Sequence, residues 1–287
     1  MILKEALEKA IDILKKANID APAIEAGVIL CHVIGKDKVF LYSHPECILK
    51  DETLFKFFRY IGRRAERVPL QYIIGHQEFM SIDFIVNPNV LIPRHDTETL
   101  VEAIINYAMQ LKVNSIDILD IGTGSGCIAI SLAKFIQSSS IIALDISEEA
   151  LETAKLNAIN AGVEGKVTFL KVDIFEMLNR YQKEVTKFDI IVSNPPYISA
   201  LDMITLQREV KDFEPISALF GGEDGLDFYR EIINNGDKFL KASGLLAFEV
   251  GYDQAYEVAN LMAKKYGNIK IEKDLANIDR VVYGVLV

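Results

Sequence analysis

The sequence predicts an α/β fold, and two observations support that prediction. Apolar runs typical of buried strands alternate with amphipathic helices over most of the 287 residues. This alternation favours a parallel sheet that is covered by helices on both of its faces. A glycine-rich turn follows the first strand, and acidic or polar residues follow the later ones. Ligands of open α/β sheets lie at such strand ends, so the functional residues are expected there.

Residues 1–74 are predicted to form a separate, all-helical domain. Their apolar side chains recur at the spacing of amphipathic helices. Asp20 and Pro22 are typical of the cap and the first turn of one helix, and Gly35 of its end. Asp51 can cap a further helix. Four arginines recur at helical spacing, as on a solvated face or a partner-binding face: Arg59, Arg63, Arg64 and Arg67.

Residues 75–95 are predicted to be a linker that contains a β-hairpin. A proline interrupts the preceding helical pattern, and residues 69–75 resemble a short connecting segment. Polar and apolar residues then alternate from 76 to 93 around a turn at Asn87-Pro88-Asn89. The linker therefore ends where the alternating strands and helices begin.

Residues 96–287 are predicted to form the α/β domain. It begins with an amphipathic helix over residues 98–111, which Asp96 or Thr97 could cap. The first strand, Ile116–Ile121, runs directly into a glycine loop. The acid Asp120 precedes this loop, whose five residues are Gly122, Thr123, Gly124, Ser125 and Gly126.

The glycine loop indicates a ligand that the main chain approaches closely. Its spacing is shorter than that of the dinucleotide fingerprint. Asp120 in front of the loop disfavours a phosphate and suits an ammonium or sulfonium charge. Asp145 closes the second strand, where a carboxylate can accept both ribose hydroxyls. Asp173 closes the third, where it could accept an adenine amino group or merely cap the next helix. The set is typical of an S-adenosylmethionine site.

Asn194, Pro195, Pro196 and Tyr197 follow a buried strand over residues 188–192. The prolines have no backbone N–H, so the turn offers carbonyl acceptors and few donors. The Asn194 side chain adds an acceptor, and Tyr197 adds a flat aromatic face. Acceptors beside an aromatic plane suit a planar NH2 group, such as a carboxamide or an exocyclic base amine. We expect substrate binding at this turn, with a proline-rich structural turn as the alternative.

The composition restricts the classes of function. The formal charge is −10, but residues 1–75 carry 12 basic and 10 acidic side chains, whereas the remainder carries 19 and 31. An acidic body argues against a protein dedicated to duplex DNA. Three scattered cysteines fit a reducing cytoplasm, and the four histidines form no ligand-spaced cluster, so no metal site is expected. The first residues show no signal-peptide pattern, and the apolar runs are too short to span a bilayer.

The chain resembles the N5-glutamine methyltransferases that modify peptide chain release factors. The likeness covers nearly the full length and includes the Asn-Pro-Pro-Tyr turn. Two positions depart from the family pattern: His95 replaces a usual proline, and Ile174 replaces a frequent aromatic residue, although Phe175 is adjacent. The other segments that carry the likeness are residues 69–75, 91–94, 214–215, 218–226 and 249–251, Gln254, and residues 274–276 and 279–282.

This resemblance implies a small helical bundle that recognises the release factor, a hairpin, and a Rossmann-like class I S-adenosylmethionine-dependent methyltransferase domain. That domain would have seven strands, one of them antiparallel. The implied substrate is the glutamine of the Gly-Gly-Gln loop of class-1 release factors, with S-adenosylhomocysteine as the second product. The cofactor-binding residues would be Asp120, Gly122, Thr123, Gly124, Ser125, Gly126, Asp145, Asp173, Ile174 and Asn194, and the substrate-binding residues Asn194, Pro195, Pro196 and Tyr197.

The substrate amide needs placement more than a strong base, because its nitrogen lone pair is delocalised into the carbonyl. The Asn194 side-chain oxygen and the Pro195 carbonyl can accept its two N–H groups while Tyr197 stacks on its plane. Two other functions remain open. An adenine-N6 nucleic-acid methyltransferase would use the same turn on a flipped base, and a non-catalytic protein would hold the cofactor as a structural ligand. We expect a release factor as partner, and neither a membrane nor a stable nucleic-acid partner.

Overall fold

The computed structural model describes residues 1–111, 113–180 and 186–287 and divides them into two compact units. The first unit comprises Met1–His76 together with Gln207–Phe213. The second comprises Gln77–Leu206 and Glu214–Val287. The sequence predicts residues 207–213 within the α/β domain, whereas the structure places them with the helices of the first unit.

The first unit is all-helical. Its helices bury one apolar core, in which Leu14, Leu30 and Phe57 are inaccessible to solvent. Burial of such amphipathic faces stabilises short helices that would be marginal alone. The helices are Leu3–Lys16, Pro22–Ile34, Lys38–Ser43, Asp51–Ala65, Leu70–Ile74 and Arg208–Phe213.

Three local predictions for these helices are wrong. The second helix ends at Gly35 in the left-handed conformation, as expected, but Ala21 rather than Asp20 is its N-cap. Asp51 is the first residue of its helix and makes no cap. Residues 69–75 are not a plain connection, because Leu70–Ile74 is helical and ends at Gly75, which is also left-handed. Pro69 and Gly75 stand at the two ends of this short helix, whereas in the sequence they resemble the proline and glycine of a linker.

A cluster of ion pairs explains why residues 207–213 belong to the first unit. Arg64 is only 6% exposed, so it is neither a solvated nor a partner-binding arginine. Its guanidinium pairs with the carboxylates of Glu25 and, at 3.1 Å, Glu209. Arg67 also reaches Glu209 at 2.9 Å. A buried charge requires such partners, and here the second partner comes from a distant segment.

The second unit contains a two-stranded and a seven-stranded sheet. In the larger one the strand order is β5-β4-β3-β6-β7-β9-β8, and β9 runs antiparallel to both of its neighbours while all other pairs are parallel. One antiparallel strand among seven confirms the expected fold class. The strands are β1 His76–Phe79, β2 Ile82–Ile85, β3 Ile116–Ile121, β4 Ser139–Asp145, β5 Val167–Lys171, β6 Phe188–Ser193, β7 Leu240–Glu249, β8 Tyr266–Lys273 and β9 Asp279–Leu286.

The hairpin of β1 and β2 lies where the alternation predicts it, but the predicted turn is wrong. Met80 and Ser81 connect the strands, and both have positive φ, at +51° and +58°. Two consecutive residues of this kind match the tight type I′ turn. Neither is glycine or asparagine, so the sequence carries no signal for it. Asn87-Pro88-Asn89 lies beyond β2.

Helices cover both faces of the large sheet. Ile118 of β3 lies in one buried apolar cluster and Leu119 in the other, because successive side chains of a strand point to opposite faces. At the end of β3, Ile121 lies opposite Leu144 of β4 and Ser193 of β6. The α-helices described in the second unit are Glu98–Ala108, Cys127–Phe135, Glu148–Ala161, Ile174–Arg180, Asp202–Thr205, Asp227–Asn235 and Ala255–Met262, with short 3-10 helices at His95–Thr97, Ile216–Ala218 and Gly236–Lys238.

Candidate active site

The glycine loop after β3 is held open towards a cavity. Gly122 and Gly124 have φ of +76° and +56°, which favour glycine, and a Cβ added to either would meet no atom within 4 Å. Gly126 differs, because a Cβ there would lie 2.8 Å from the side chain of Ile130. The first two glycines therefore keep space for a ligand, and the third permits close packing of the helix Cys127–Phe135.

A cavity of about 410 Å³ lies at the carboxyl ends of β3, β4, β5 and β6. Its size and largely apolar wall suit a small organic ligand. Six of the ten predicted cofactor residues line it: Gly122, Gly124, Asp145, Asp173, Ile174 and Asn194. The other four residues are buried and do not line the cavity: Asp120, which precedes the loop, and Thr123, Ser125 and Gly126 within it.

Asp145 is fixed at the end of β4 by two backbone donors. Its Oδ2 accepts from the Gly124 amide at 2.8 Å, and its Oδ1 accepts from the Ser147 amide at 2.9 Å. A carboxylate has about four acceptor positions, so further donors can still be bound. The residue thus couples the glycine loop to β4 and presents remaining acceptor capacity to the cavity that it lines.

Asp173 caps the helix Ile174–Arg180, which is one of the two roles that the sequence allows for it. Its Oδ1 accepts from the amides of Phe175 at 2.9 Å and Glu176 at 3.4 Å, in the first turn of the helix Ile174–Arg180. The same residue lines the cavity, so capping does not remove it from the site. Phe175 also lines the cavity, and its ring packs against that of Phe228 with centroids 5.0 Å apart. An aromatic surface is therefore present despite Ile174.

Asp120 does not lie on the cavity wall. Its carboxylate is fully buried, and Oδ2 accepts from the Thr123 hydroxyl at 2.6 Å. Burial raises the pKa of Asp120 to about 7. Its Oδ1 is buried and has no hydrogen-bond partner among the described residues. Asp120 thus makes a contact that shapes the loop, and its direct contact with the ligand stays a prediction.

The Asn-Pro-Pro-Tyr turn presents three of its four residues to the cavity: Asn194, Pro195 and Pro196. Tyr197 lies outside the wall, and its ring packs against the apolar cluster that contains Tyr229 and Phe248. Burial raises the pKa of the Tyr197 hydroxyl, which is neutral at physiological pH. The predicted stacking of Tyr197 on a substrate amide would therefore take place on a side of the turn that the cavity does not include.

The segment over residues 218–226 supports this turn from behind. A Cβ on Gly221 would lie 2.6 Å from the Pro196 carbonyl oxygen and 2.7 Å from the Tyr197 Cα. A Cβ on Gly225 would collide with the Tyr197 carbonyl. That carbonyl accepts from the Gln254 side-chain amide at 3.0 Å. The glycines are needed because two stretches of backbone touch.

Two other segments that carried the resemblance meet at Glu214, which is only 5% exposed. Its carboxylate pairs with the guanidinium of Arg94 and accepts from the Ile92 amide at 3.4 Å. His95, the departure from the family pattern, is exposed and faces Glu98 at 3.3 Å. The histidine that replaces the usual proline therefore takes no part in the ion pair between Arg94 and Glu214.

Behind Asn194 lies a polar group that the sequence did not assign to the site. The Asn194 amide nitrogen donates to the Thr97 hydroxyl at 3.4 Å. The carboxylate of Glu249, at the end of β7, is buried, and both side chains act to lower its pKa. Its Oε2 has no hydrogen-bond partner among the described residues. Thr97 was predicted as a helix cap, but its side chain makes no capping bond. Asp96, the other predicted cap, pairs with Arg280 at 3.3 Å.

Family comparisons agree with this geometry. Residues 112–264 match a methyltransferase domain, and residues 5–75 match the PrmC N-terminal domain. A methyltransferase from Pyrococcus furiosus has the same fold, with a TM-score of 0.51 and 18% identity over 72% of this chain and 89% of its own. The sheet, glycine loop and cavity define a class I methyltransferase, and its cofactor is S-adenosylmethionine.

Relatives that match over the full length identify one family within the class I methyltransferases. The release factor glutamine methyltransferase of Clostridium acetobutylicum is 40% identical over 287 residues, which cover 99% of both chains. That of Koribacter versatilis is 40% identical over 99% of this chain and 98% of its own. The chain belongs to the family of release factor glutamine methyltransferases. In the part of the chain that the structure describes, no helix is both long and apolar enough to cross a membrane.

Proposed function

We propose that the protein methylates the side-chain nitrogen, N5, of the glutamine in the Gly-Gly-Gln loop of class-1 peptide chain release factors. The observation that carries this proposal is the position of Asn194 and Pro195. Both line the cofactor cavity, and both offer carbonyl acceptors that suit a carboxamide NH2 group. The family to which the chain belongs supports the same substrate.

The residues that line the cavity fit S-adenosylmethionine. We assign the ribose hydroxyls to Asp145 and the adenine amino group to Asp173, with Ile174 and Phe175 against the adenine ring. The open space at Gly122 and Gly124 would take the methionine part. When bound, the cofactor supplies a methyl group on a positively charged sulfur. Asp120, Thr123, Ser125 and Gly126 would contribute by shaping the loop.

The protein would promote the transfer by placing the substrate nitrogen. The side-chain oxygen of Asn194 and the carbonyl of Pro195 would accept the two N–H groups and hold the nitrogen in line with the methyl group. The same acceptors stabilise positive charge that develops on the nitrogen during attack. Pro196 and Tyr197 would complete the substrate side of the turn. The surplus proton can leave to water afterwards, so no residue must act as a general base.

We further propose that residues 1–74 recognise the release factor, that residues 75–95 are the linker, and that residues 96–287 catalyse the reaction. The match of residues 5–75 to a separate family domain supports this division. The three cysteines are free thiols, which fits a reducing cytoplasm as the place of the reaction. The acidic charge beyond residue 75 supports a protein substrate without a stable nucleic-acid partner.

A methyl-transfer assay with labelled cofactor tests this function. Release factor, DNA and RNA are offered separately at equal concentrations, and the modified residue is located by mass spectrometry. We expect label in release factor only, at the loop glutamine, and none in a release factor whose glutamine is replaced by alanine. Label in adenine would support the nucleic-acid alternative, and label in no substrate, despite cofactor binding, would support the non-catalytic one.

A further inference from the structure

We infer that Thr97 and Glu249 are positioning residues that fix the orientation of the Asn194 carboxamide. The proposed reaction needs the oxygen of Asn194, rather than its NH2 group, to face the substrate amide. The two ends of a carboxamide have nearly the same shape, so packing alone discriminates poorly between them. This inference rests on the proposed function and extends it to two residues that do not line the cavity.

The directions of the hydrogen bonds behind Asn194 distinguish its oxygen from its NH2 group. The buried Oε2 of Glu249 has no hydrogen-bond partner among the described residues. An ionised carboxylate can only accept, so the Thr97 hydroxyl, which opposes the rise in the pKa of Glu249, would donate its one hydrogen to this carboxylate. The lone pairs of Thr97 then remain for the Asn194 NH2 group, which donates to them at 3.4 Å. Glu249 itself interacts with the Asn194 side chain in the same sense. The NH2 end of Asn194 is thereby drawn to the interior, and its oxygen is left for the substrate.

The position of Thr97 supports this role. The residue directly precedes the helix Glu98–Ala108, where a threonine would ordinarily cap the first turn. It has helical φ and ψ of −64° and −21° instead, and its hydroxyl makes no capping bond. It is only 2% exposed. A buried hydroxyl at a helix start that is not used for capping is available to Asn194.

The surroundings of Glu249 determine its charge. The side chain is 1% exposed, and burial raises its pKa to about 7, which Asp96 reinforces, while Thr97, Arg280 and Asn194 oppose the rise. Arg280 is held beside it by Asp274 at 3.2 Å and Asp96 at 3.3 Å. Among the described residues, the hydroxyls of Tyr197 and Tyr229 and the thiol of Cys127 are further titratable groups near Glu249.

Protonation of Glu249 would remove the preference for one direction of the hydrogen bond between Thr97 and Asn194. Because its folded pKa is raised, the neutral acid gains weight as the pH falls through about 7. A neutral acid can donate as well as accept, so the Thr97 hydroxyl could turn its hydrogen towards Asn194 and the amide could reverse. We therefore expect the rate of methyl transfer, at saturating cofactor, to decline on the acidic side of this pH.

The test uses Thr97→Val, which keeps the shape and removes the hydroxyl, beside Thr97→Ser, which retains it. Single-turnover methylation of release factor, cofactor affinity by calorimetry and thermal unfolding are measured for each. Loss of one polar contact that acts on a reacting group predicts a rate lowered at least about tenfold in the valine variant. Cofactor affinity should stay within about threefold, and serine should restore most of the rate.

A double variant separates positioning from general damage. If Thr97 acts through Asn194, Thr97→Val should slow Asn194→Ala no further, because coupled residues are not additive. An undiminished rate in the folded Thr97→Val protein, or an equal extra loss in the Asn194→Ala background, would overturn the inference. Wild-type enzyme that fails to methylate release factor would instead contradict the proposed function.

Glu249→Gln tests the polarity itself. Glutamine keeps the shape but cannot lose a proton, so the acidic decline of the rate near pH 7 should disappear at a lower overall rate. A wild-type pH profile in this variant would contradict the assignment to Glu249. If the variant fails to fold, which thermal unfolding reveals, the wild-type pH profile and the Thr97 pair still decide the matter.

Discussion

The two halves of the active site are built in different ways. On the cofactor side, Gly122, Gly124, Asp145 and Asp173 follow consecutive strands and are shaped by contacts within a few tens of residues, such as the bond from Gly124 to Asp145. On the substrate side, one short turn is held by residues far along the chain. The bond from Asn194 to Thr97 spans 97 residues, and that from Gln254 to Tyr197 spans 57.

This difference predicts which property each half controls. The cofactor half encloses the cavity directly, so its alteration should abolish cofactor binding. On the substrate side, the supporting residues Thr97, Gly221, Glu249 and Gln254 do not line the cavity, although neighbours of Gly221 such as Phe220 and Gly222 do. Their alteration should lower the rate of transfer while cofactor affinity is kept. A variant of each kind, measured for both properties, tests whether the two halves are separable.

The largest effect is expected in the cofactor half, from Gly124→Val. Valine would place a branched side chain in the open space of the loop and would strain a backbone with φ of +56°. We expect loss of S-adenosylmethionine binding with the fold retained. Calorimetry and circular dichroism measure both. Gly162→Val is the matched control, since Gly162 has φ of +70° and open space but ends a helix outside the cavity wall. Near-normal cofactor affinity in folded Gly124→Val would contradict the assignment of this loop to cofactor binding.

Next in size is Asn194→Asp, on the substrate side. The change keeps the shape and one acceptor oxygen, but it replaces the NH2 donor to Thr97 with a second acceptor. It also adds a charge close to the buried Glu249. We expect the single-turnover rate to fall about a hundredfold, as for loss of a preorganised contact. A rate close to wild type would show that the NH2 group does not orient the side chain.

A smaller effect on the substrate side is expected from Gly221→Ala. The new Cβ would lie 2.6 Å from the Pro196 carbonyl oxygen and 2.7 Å from the Tyr197 Cα, so the backbone of the turn would have to shift. We expect a rate lowered about tenfold, because small misplacement at a reacting centre is costly. Gly165→Ala, where a Cβ meets nothing within 4 Å, is the control. Equal rates in the two variants would mean that the glycine segment does not position the turn.

The smallest effect on chemistry is expected from removal of the helical domain. A chain that begins near His76 should still bind S-adenosylmethionine but should methylate whole release factor poorly. The removed helices carry Arg64 and Arg67, the partners of Glu209, so the segment over residues 207–213 loses its packing as well. A short Gly-Gly-Gln peptide should discriminate less between the two proteins than whole release factor does. Full activity of the folded, truncated protein on release factor would exclude recognition by residues 1–74.

The cofactor half could be predicted from the sequence because its signals are local. Apolar runs mark β3 and β4, and glycines and acids directly follow them. Such patterns do not predict the direction in which a single side chain points. The sequence predicts Asp120 and Tyr197 at the ligand, yet neither lines the cavity. Asp120 is fully buried near the end of β3, and Tyr197, beyond the end of β6, packs against an apolar cluster.

The substrate half could be predicted only in part. The Asn-Pro-Pro-Tyr turn has a chemistry that is visible in four residues. Thr97, Glu249 and Gln254 acquire their roles only when distant segments meet, and no local spacing shows that. The same limit applies to Glu209, whose helix packs with a unit that precedes it by more than a hundred residues. Tertiary contact, rather than propensity, decides such positions.

The most direct measurement is single-turnover methylation of a Gly-Gly-Gln loop by wild type and Asn194→Ala, with cofactor affinity determined in parallel. Alanine removes one acceptor for the substrate amide. We expect the rate to fall by roughly a hundredfold or more, as for deletion of one preorganised contact at a reacting centre, while S-adenosylmethionine binds almost as in the wild type. A wild-type rate in the alanine variant would contradict the proposed role of Asn194 in placing the substrate amide, because Asn194 and its turn would then be structural only.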